Sequence, residues 1–484
     1  MSLNIKTSTG LKKLNSVIIA KQNLVSPQSV NFYDYDGELV YAYTAEEFAQ
    51  LSALPTNPTH DGLTAQGWNW SLSDAKAYVA NYGALNIGQS YITSDGKTRL
   101  YIHLEDGRLE PTLGLGINGS VDVDWGDGSA HDTMTGDDIT TTVRQLHRYA
   151  EVGDYVITLT VTGNAQFNGG GGIYSYILNK DGESNAEFNQ VYLNILKKIH
   201  IGSNMTFGDT YSFGRCHSLQ LITIPNSITN IGNASFYDCG SLRTIVLPNG
   251  MTTIDAVTFY YCYSLQKVLI PNGITNIGNN IFYYCYSLEV LSIPDSITQM
   301  GGGIFYYCRS LQTLIIPDSV TTTGSGICDN NHSLQKVRIS NNMTQIASGS
   351  FSNCNGLQSV IIPASISTIG TNAFNSCRGL GYIKFNGTIP PTVNGEAFNN
   401  VPNDCYILVP YNYFDEYFAR MNMPSPETYL YLCYATYTDG DTLPTVDNDG
   451  YTLTWYASRE DARAETNPIT VGNGKEIYAR GVRA

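Results

Sequence analysis

One spacing governs what this chain can fold into. A Ser-Leu or Gly-Leu pair returns every 23 residues, at Leu219, Leu242, Leu265, Leu288, Leu311, Leu334, Leu357 and Leu380, with a degenerate first member at Leu196. The unit at Leu265 reads SLQKVLIPNGITNIGNNIFYYCY. It places Leu265, Val268, Ile270, Ile274, Ile277, Phe282 and Cys285 in fixed slots, which the next unit fills with Leu288, Leu291, Ile293, Ile297, Met300, Phe305 and Cys308. A unit this short cannot close a core of its own, but stacked copies share one. Leu-x-x-Val-x-Ile reads as a short strand. The proline after it (Pro225, Pro248, Pro271, Pro294, Pro317, Pro363) stops the ladder, and Gly and Asn carry the turns. Parallel stacking at about 4.8 Å per strand would make nine coils roughly 40 Å long. The expected fold class is therefore mainly β, a solenoid of 23-residue units flanked by smaller modules.

These residues resemble the BspA-type leucine-rich repeats of bacterial and phage surface proteins, over about Leu196 to Phe418. Ile407-Leu408-Val409-Pro410 and the aromatic stretch through Tyr417 are similar to that family's closing unit. One coil departs from the pattern. Cys328-Asp329-Asn330-Asn331 stands where the others have Phe-x-x-Cys, which predicts weaker packing there.

The expected domains are an α+β region over 1–95, a β-sandwich over 96–165, the solenoid over 190–420 and a small β-rich module over 427–484. Trp125-Gly126-Asp127-Gly128 followed by His147-x-Tyr149-x-x-x-Gly153-x-Tyr155 resembles a PKD-type sandwich, a family of spacer and binding modules. In the first region Asp34-Tyr35-Asp36-Gly37 reads as a hairpin turn. Thr44-Ala45-Glu46-Glu47 reads as a helix start, and a second helix is expected around Ser73–Val79. The region resembles the segment preceding repeat modules in some prophage tail proteins, which implies attachment to a particle. Tyr451–Tyr456 and Lys475–Gly481 resemble the ends of small β-repeat modules of bacterial surface proteins.

Charge narrows the partners. The 484 residues carry 42 acidic and 27 basic side chains, a net −15. This argues against nucleic acid or anionic lipid as the main partner. The repeats are nearly neutral, with seven basic and six acidic residues between Leu219 and Phe385, so the acidity belongs to the flanks. No apolar run approaches the length of a membrane span, and the N-terminal Val17–Ala20 is too short for the core of a secretory signal. A virion tail or an extracellular surface is the expected location, with no membrane insertion.

Catalytic sets are poor. His60, His103, His131, His147, His200, His217 and His332 are scattered, with no nucleophile motif and no phosphate loop, so no catalytic residue and no cofactor is assigned. Asp122, Asp124 and Asp127 cluster at one turn. Turn formation is the preferred reading and Ca²⁺ the alternative, and no metal is assigned. Seven cysteines keep the repeat register (Cys216, Cys239, Cys262, Cys285, Cys308, Cys354, Cys377), while Cys328 falls three residues early. They form no CxxC pair and read as a buried ladder of small apolar side chains. Rung spacing lies within disulfide Cα range, which leaves oxidation open. Cys405 and Cys433 are off register.

The surface candidate is aromatic. Tyr237, Tyr260, Tyr261, Tyr263, Tyr283, Tyr284, Tyr286, Tyr306 and Tyr307 recur beside the Phe and Cys of successive coils and should form columns on one edge. Tyrosines at register spacing suit recognition of a host cell-surface glycan or protein; the competing reading is that they pack on one another and cover the edge. The preferred expectation is a non-enzymatic, tail-associated receptor-binding component. The alternatives are a bacterial cell-surface adhesin and, behind it, a glycan-active enzyme.

Overall fold

The computed structural model describes residues 29–105, 107–168, 177–178, 194–402 and 405–410. It adds short pieces at 4–7, 10–13, 413, 416–417, 430–436, 451–457, 467–469 and 476–483. The chain is mainly β, a solenoid of about nine turns of about 23 residues with few helices. It divides into two compact units, 1–308 and 309–484.

The first unit opens with a sheet in the order β2-β1-β4-β3-β6-β5, from β1 (Asn4–Thr7), β2 (Gly10–Lys13), β3 (Ser29–Tyr33), β4 (Leu39–Thr44), β5 (Leu63–Trp68) and β6 (Leu85–Thr93). The expected turn at Asp34–Gly37 joins β3 to β4, closed by the Asp34 N–H on the Glu38 carbonyl. Helix α1 (Ala45–Ala49) starts where Thr44 predicts it. The Thr44 hydroxyl accepts from the Glu47 N–H, and the Glu47 carboxylate accepts from the Thr44 N–H. Helix α2 (Leu72–Tyr82) is capped by Ser71 and ended by Gly83 at φ 81°. Phe32, Phe48, Trp68, Trp70, Tyr78, Leu85 and Ile87 form the core between sheet and helices.

Next come β7 (Thr98–Leu104), β8 (Thr112–Asp124), β9 (Asp132–Leu146) and β10 (Gly153–Phe167). The Trp125–Gly128 turn joins β8 to β9, as the sequence predicts. The hydrogen bonding joins these strands to the first solenoid strands in one continuous run. Its order is β13-β11-β7-β10-β8-β9, where β11 (Leu196–His200) and β13 (Leu221–Thr223) are the first solenoid strands, and β12 (Met205–Phe207) pairs in parallel with the end of β10. The reason is an edge: β7 offers its free side to β11 in antiparallel register, Leu100 against Ile199. Its unpaired N–H and C=O groups are thereby satisfied.

The coils then repeat in parallel. Ile245 pairs with Val268 and Val268 with Leu291, one rung per 23 residues, and a second ladder sets Ile254 on Ile277 and Ile277 on Met300. The predicted inward slots are filled: Leu265, Val268, Ile270, Ile274, Ile277, Phe282 and Cys285 are all buried. Leu291 is the exception in the following coil and is only partly buried. Phe213, Phe236, Phe259, Phe282 and Phe305 stack face to face, with centroids 5.6–5.7 Å apart. Beside this spine the Cys239, Cys262, Cys285 and Cys308 thiols each donate to the carbonyl of the Phe one coil back, Cys262 to Phe236 at 3.1 Å and Cys285 to Phe259 at 3.2 Å. The cysteines are therefore hydrogen-bond donors as well as filler, and burial pushes the Cys216, Cys239, Cys262 and Cys285 thiols far up.

In the second unit, Thr313–Ile315 pairs with Lys336–Arg338, Ser359–Ile362 with Tyr382–Phe385, and Tyr382–Phe385 in turn with Tyr406–Pro410, all in parallel. Leu430–Thr436, Glu476–Arg483, Tyr451–Tyr456 and Pro468–Ile469 extend that last sheet. Phe351, Phe374 and Phe398 stack at 5.4 and 5.3 Å. The Phe slot one coil earlier holds Cys328, and the Cys slot holds Asn331, fully buried with neither amide atom hydrogen-bonded. Tyr417 packs on Phe385 and donates to the Gly387 carbonyl at 2.7 Å.

Candidate binding surface

Within the first unit two faces of the solenoid compete as binding surfaces, and one is already occupied. The N-terminal sheet lies over the outward side of the coil strands. The Trp70 indole N–H donates to the Ile270 carbonyl at 2.9 Å, and the Asn69 amide to the Leu269 carbonyl at 3.0 Å. Asn86 donates to Ser292 Oγ from both its backbone N–H and its side chain. Gln66 Oε1 accepts from the Asn226 N–H at 2.7 Å. Tyr33 packs against Val246, Leu269 and Val290, with the Lys267 ammonium 5.7 Å from its ring centre. The sequence held one faint sign of this cover: Val246 and Leu269 are apolar at positions that point outward from a strand.

Contact there is close. A Cβ placed on Gly88 would sit 2.8 Å from side-chain atoms of Leu269 and Val246. Gly88→Val is therefore expected to destabilise the first unit by about 1–3 kcal/mol through overpacking, read as a lower urea midpoint. An unchanged midpoint would mean that the sheet does not press on the coils.

The other face carries the tyrosines. Tyr237, Tyr260, Tyr283 and Tyr306 form one stacked column, with centroids 5.4, 4.6 and 4.4 Å apart and planes within 12° of parallel. Tyr261, Tyr284 and Tyr307 form a second, at 5.2 and 4.8 Å, and Tyr263 with Tyr286 a third, at 5.5 Å. The first two columns meet edge to face, as Tyr260 meets Tyr261 at 4.4 Å and 82°. Tyr211, absent from the sequence reading, joins edge-on to Tyr237 at 5.8 Å. All nine predicted rings thus come together on one edge. Their faces are largely taken by one another, and what they turn outward is ring edge and hydroxyl; Tyr263 is the most exposed, at 39%. Burial, then neighbouring carboxylates or phenols, push Tyr263 and Tyr283 up to about 12, so these two hydroxyls stay protonated at neutral pH.

The backbone beneath the second column is unusual for tyrosine. Tyr261, Tyr284 and Tyr307 have φ of 63°, 62° and 59°. The same slot holds Asp238, Asn330, Asn353 and Asn400 in four other coils, residue types that tolerate the left-handed region best, and Arg215 and Ser376 in two more. Tyrosine there costs roughly 1–2 kcal/mol per residue.

The polar clusters are committed elsewhere. His147 is stacked on Trp125 at 4.5 Å and paired with Asp127 at 2.8 Å. Burial raises the Asp127 carboxyl, but hydrogen bonds from Ser129 and His147 outweigh it and hold it at about 2. Asp124 accepts from the Gly126 N–H, and Asp122 pairs with His131 at 3.0 Å. These carboxylates shape the turn. Among the described residues no group of three or more His, Cys, Asp or Glu is placed to hold a metal ion, and no helix is long and apolar enough to cross a membrane.

Residues 185–311 and 275–404 match the BspA type leucine rich repeat region, in six copies. No curated protein sequence matches the chain. Among solved structures it is similar to a leucine-rich repeat protein from Bacteroides ovatus, at 22% identity and TM-score 0.38, over 49% of this chain and 66% of that one. The chain thus spans just under two thirds of that relative. It is also similar to the T. pallidum leucine rich repeat protein, at 24% identity and TM-score 0.29, over 36% of this chain and 77% of that one. A third is a leucine rich cell surface protein from Faecalibacterium prausnitzii, at 18% identity and TM-score 0.26, over 55% and 96%.

Proposed function

We propose that the chain is a non-enzymatic binding protein of the bacterial cell-surface type, an adhesin whose partner meets the tyrosine edge of the first unit. The observation that carries this is the second tyrosine column, three successive bulky rings kept at left-handed positions that Asn or Asp fills in four other coils and Arg215 and Ser376 in two more. Three rings held at a backbone cost in adjacent coils point to a use beyond folding. The match of residues 185–404 to BspA-type repeats favours a surface adhesin, and nothing in the comparisons supports a particle-bound tail component. The strand face beneath β6 is filled by the chain's own N-terminal sheet, which leaves the tyrosine edge as the surface for a partner.

Partner chemistry follows from the stacking. Sugar recognition by phenols uses ring faces, and these faces are largely covered by neighbouring tyrosines. Ring edges and protonated hydroxyls suit a protein surface, where tyrosine supplies contact area at low entropy cost. The test is binding of the labelled chain to arrays of host extracellular proteins and of host glycans. Protein spots are expected to bind, and Tyr283→Ala with Tyr284→Ala to weaken them at least about tenfold, the loss of one modest hot spot. Glycan binding at full strength in the double variant, or no binding on either array, would overturn the proposal.

A further inference from the structure

We propose that the tyrosine edge is also a binding site for elongated, planar aromatic molecules of the polyphenol class, lying along the columns across several coils. It uses the same residues as the adhesin reading but does not need that reading's macromolecular partner. The argument starts from what stacking leaves exposed. Tyr260, Tyr283 and Tyr306 lie parallel within 10°, at 4.6 and 4.4 Å, so each ring's face is spent on the next. Tyr261, Tyr284 and Tyr307 run beside them at 5.2 and 4.8 Å.

An aromatic ring has a negative face and a positive edge. A surface made of edges therefore attracts a ligand that presents its own π face. A cation, which needs an open ring face, finds less there, as does the C–H face of a sugar. The two columns run in the same direction, so the line between them follows the axis of the array. A flat, extended molecule laid on that line meets a new pair of ring edges at every coil. The repeats carry almost no net charge, which suits a neutral ligand. Pre-assembly helps as well: the rings are already ordered by one another, so little side-chain entropy remains to be lost on binding.

The probe is curcumin, a neutral extended bis-phenol, titrated into the full chain with its fluorescence as the readout. Saturable binding is expected. Tyr283→Phe with Tyr284→Phe keeps the edges and should stay within about threefold of the parent chain, whereas Tyr283→Thr with Tyr284→Asn, the residue that the left-handed slot holds in other coils, should weaken binding about thirtyfold, two aromatic contacts' worth. Folding of each variant is checked by whether the buried thiols stay unreactive to a disulfide reagent until urea is added. Absence of saturable binding to the parent chain would overturn the proposal. So would full-strength binding to the folded variant with Tyr283→Thr and Tyr284→Asn. Loss of curcumin binding with array binding intact would remove this inference and leave the adhesin reading standing.

Discussion

The first unit is expected to lose most of its stability between pH 8.5 and 10, at a rate few proteins of its size would show. Cys216, Cys239, Cys262 and Cys285 are fully buried, and each thiol is pushed far up by desolvation. Unfolded, they would titrate near 8.5. The sign follows: the folded pKa is raised, so the contribution is fully present below the unfolded value and is lost as pH climbs toward the folded one. In that window the unfolded chain has released protons that the folded chain still holds. Each such group lowers stability by about 1.4 kcal/mol per pH unit, and four together approach about 5 kcal/mol per pH unit, against a total stability of roughly 5–15 kcal/mol. Urea unfolding followed at pH 7.5, 9 and 10 measures this directly. Cys285→Ala should be less stable at pH 7.5 yet show a slope shallower by about one proton's worth. Unfolded tyrosine titrates near 10, and burial holds phenols such as Tyr260, Tyr263 and Tyr283 above that in the folded unit, so the thiol slope is read between pH 7.5 and 9 and the phenols add to the loss above it. Equal stability at pH 7.5 and 10 would mean that the thiols are accessible or already oxidised.

The ladder behind that expectation was only half legible in the sequence. A 23-residue period with apolar slots requires a shared core, and so Leu265, Val268, Ile270 and Phe282 could be placed inward from spacing alone. That Cys285 donates to the Phe259 carbonyl depends on how the coil turns after the Phe, which no pattern of residue types encodes. The tyrosines show the same division. Register put them in columns, but whether a column offers faces or edges depends on side-chain torsions, and face-to-face stacking won because neighbouring coils bring the rings within 4.4–5.5 Å. Least legible was the cover over the coil strands. Trp70, Asn69, Asn86 and Gly88 act on residues about 160–210 positions away, and local periodicity carries no information at that range. The single sheet through β7 and β11 escaped for a related reason, since a free strand edge has no sequence signature of the strand that will pair with it.

Restoring the repeat pattern in the one irregular coil should stabilise the second unit by about 3–5 kcal/mol, the combined worth of a filled ring-sized site and a removed orphan amide. Cys328 occupies the slot of Phe351 and Phe374, while its backbone follows the regular path: its N–H donates to the Ser350 carbonyl at 2.8 Å, and its own carbonyl accepts from the Cys354 thiol at 3.1 Å. A phenylalanine there would inherit the geometry that stacks Phe351 on Phe374 at 5.4 Å. Asn331, in the Cys slot, buries an amide with no partner, and a thiol in its place would be free to donate as the other rungs do. The two positions touch, so the singles should not add. Cys328→Phe alone must still tolerate the asparagine, and Asn331→Cys alone leaves the ring site unfilled. The double variant is the decisive one, compared with the parent chain by urea unfolding at pH 7. A gain well above the sum of the singles is expected. A double variant less stable than the parent would show that the coil has repacked around Cys328 and that the irregularity is built in, with no vacancy to fill.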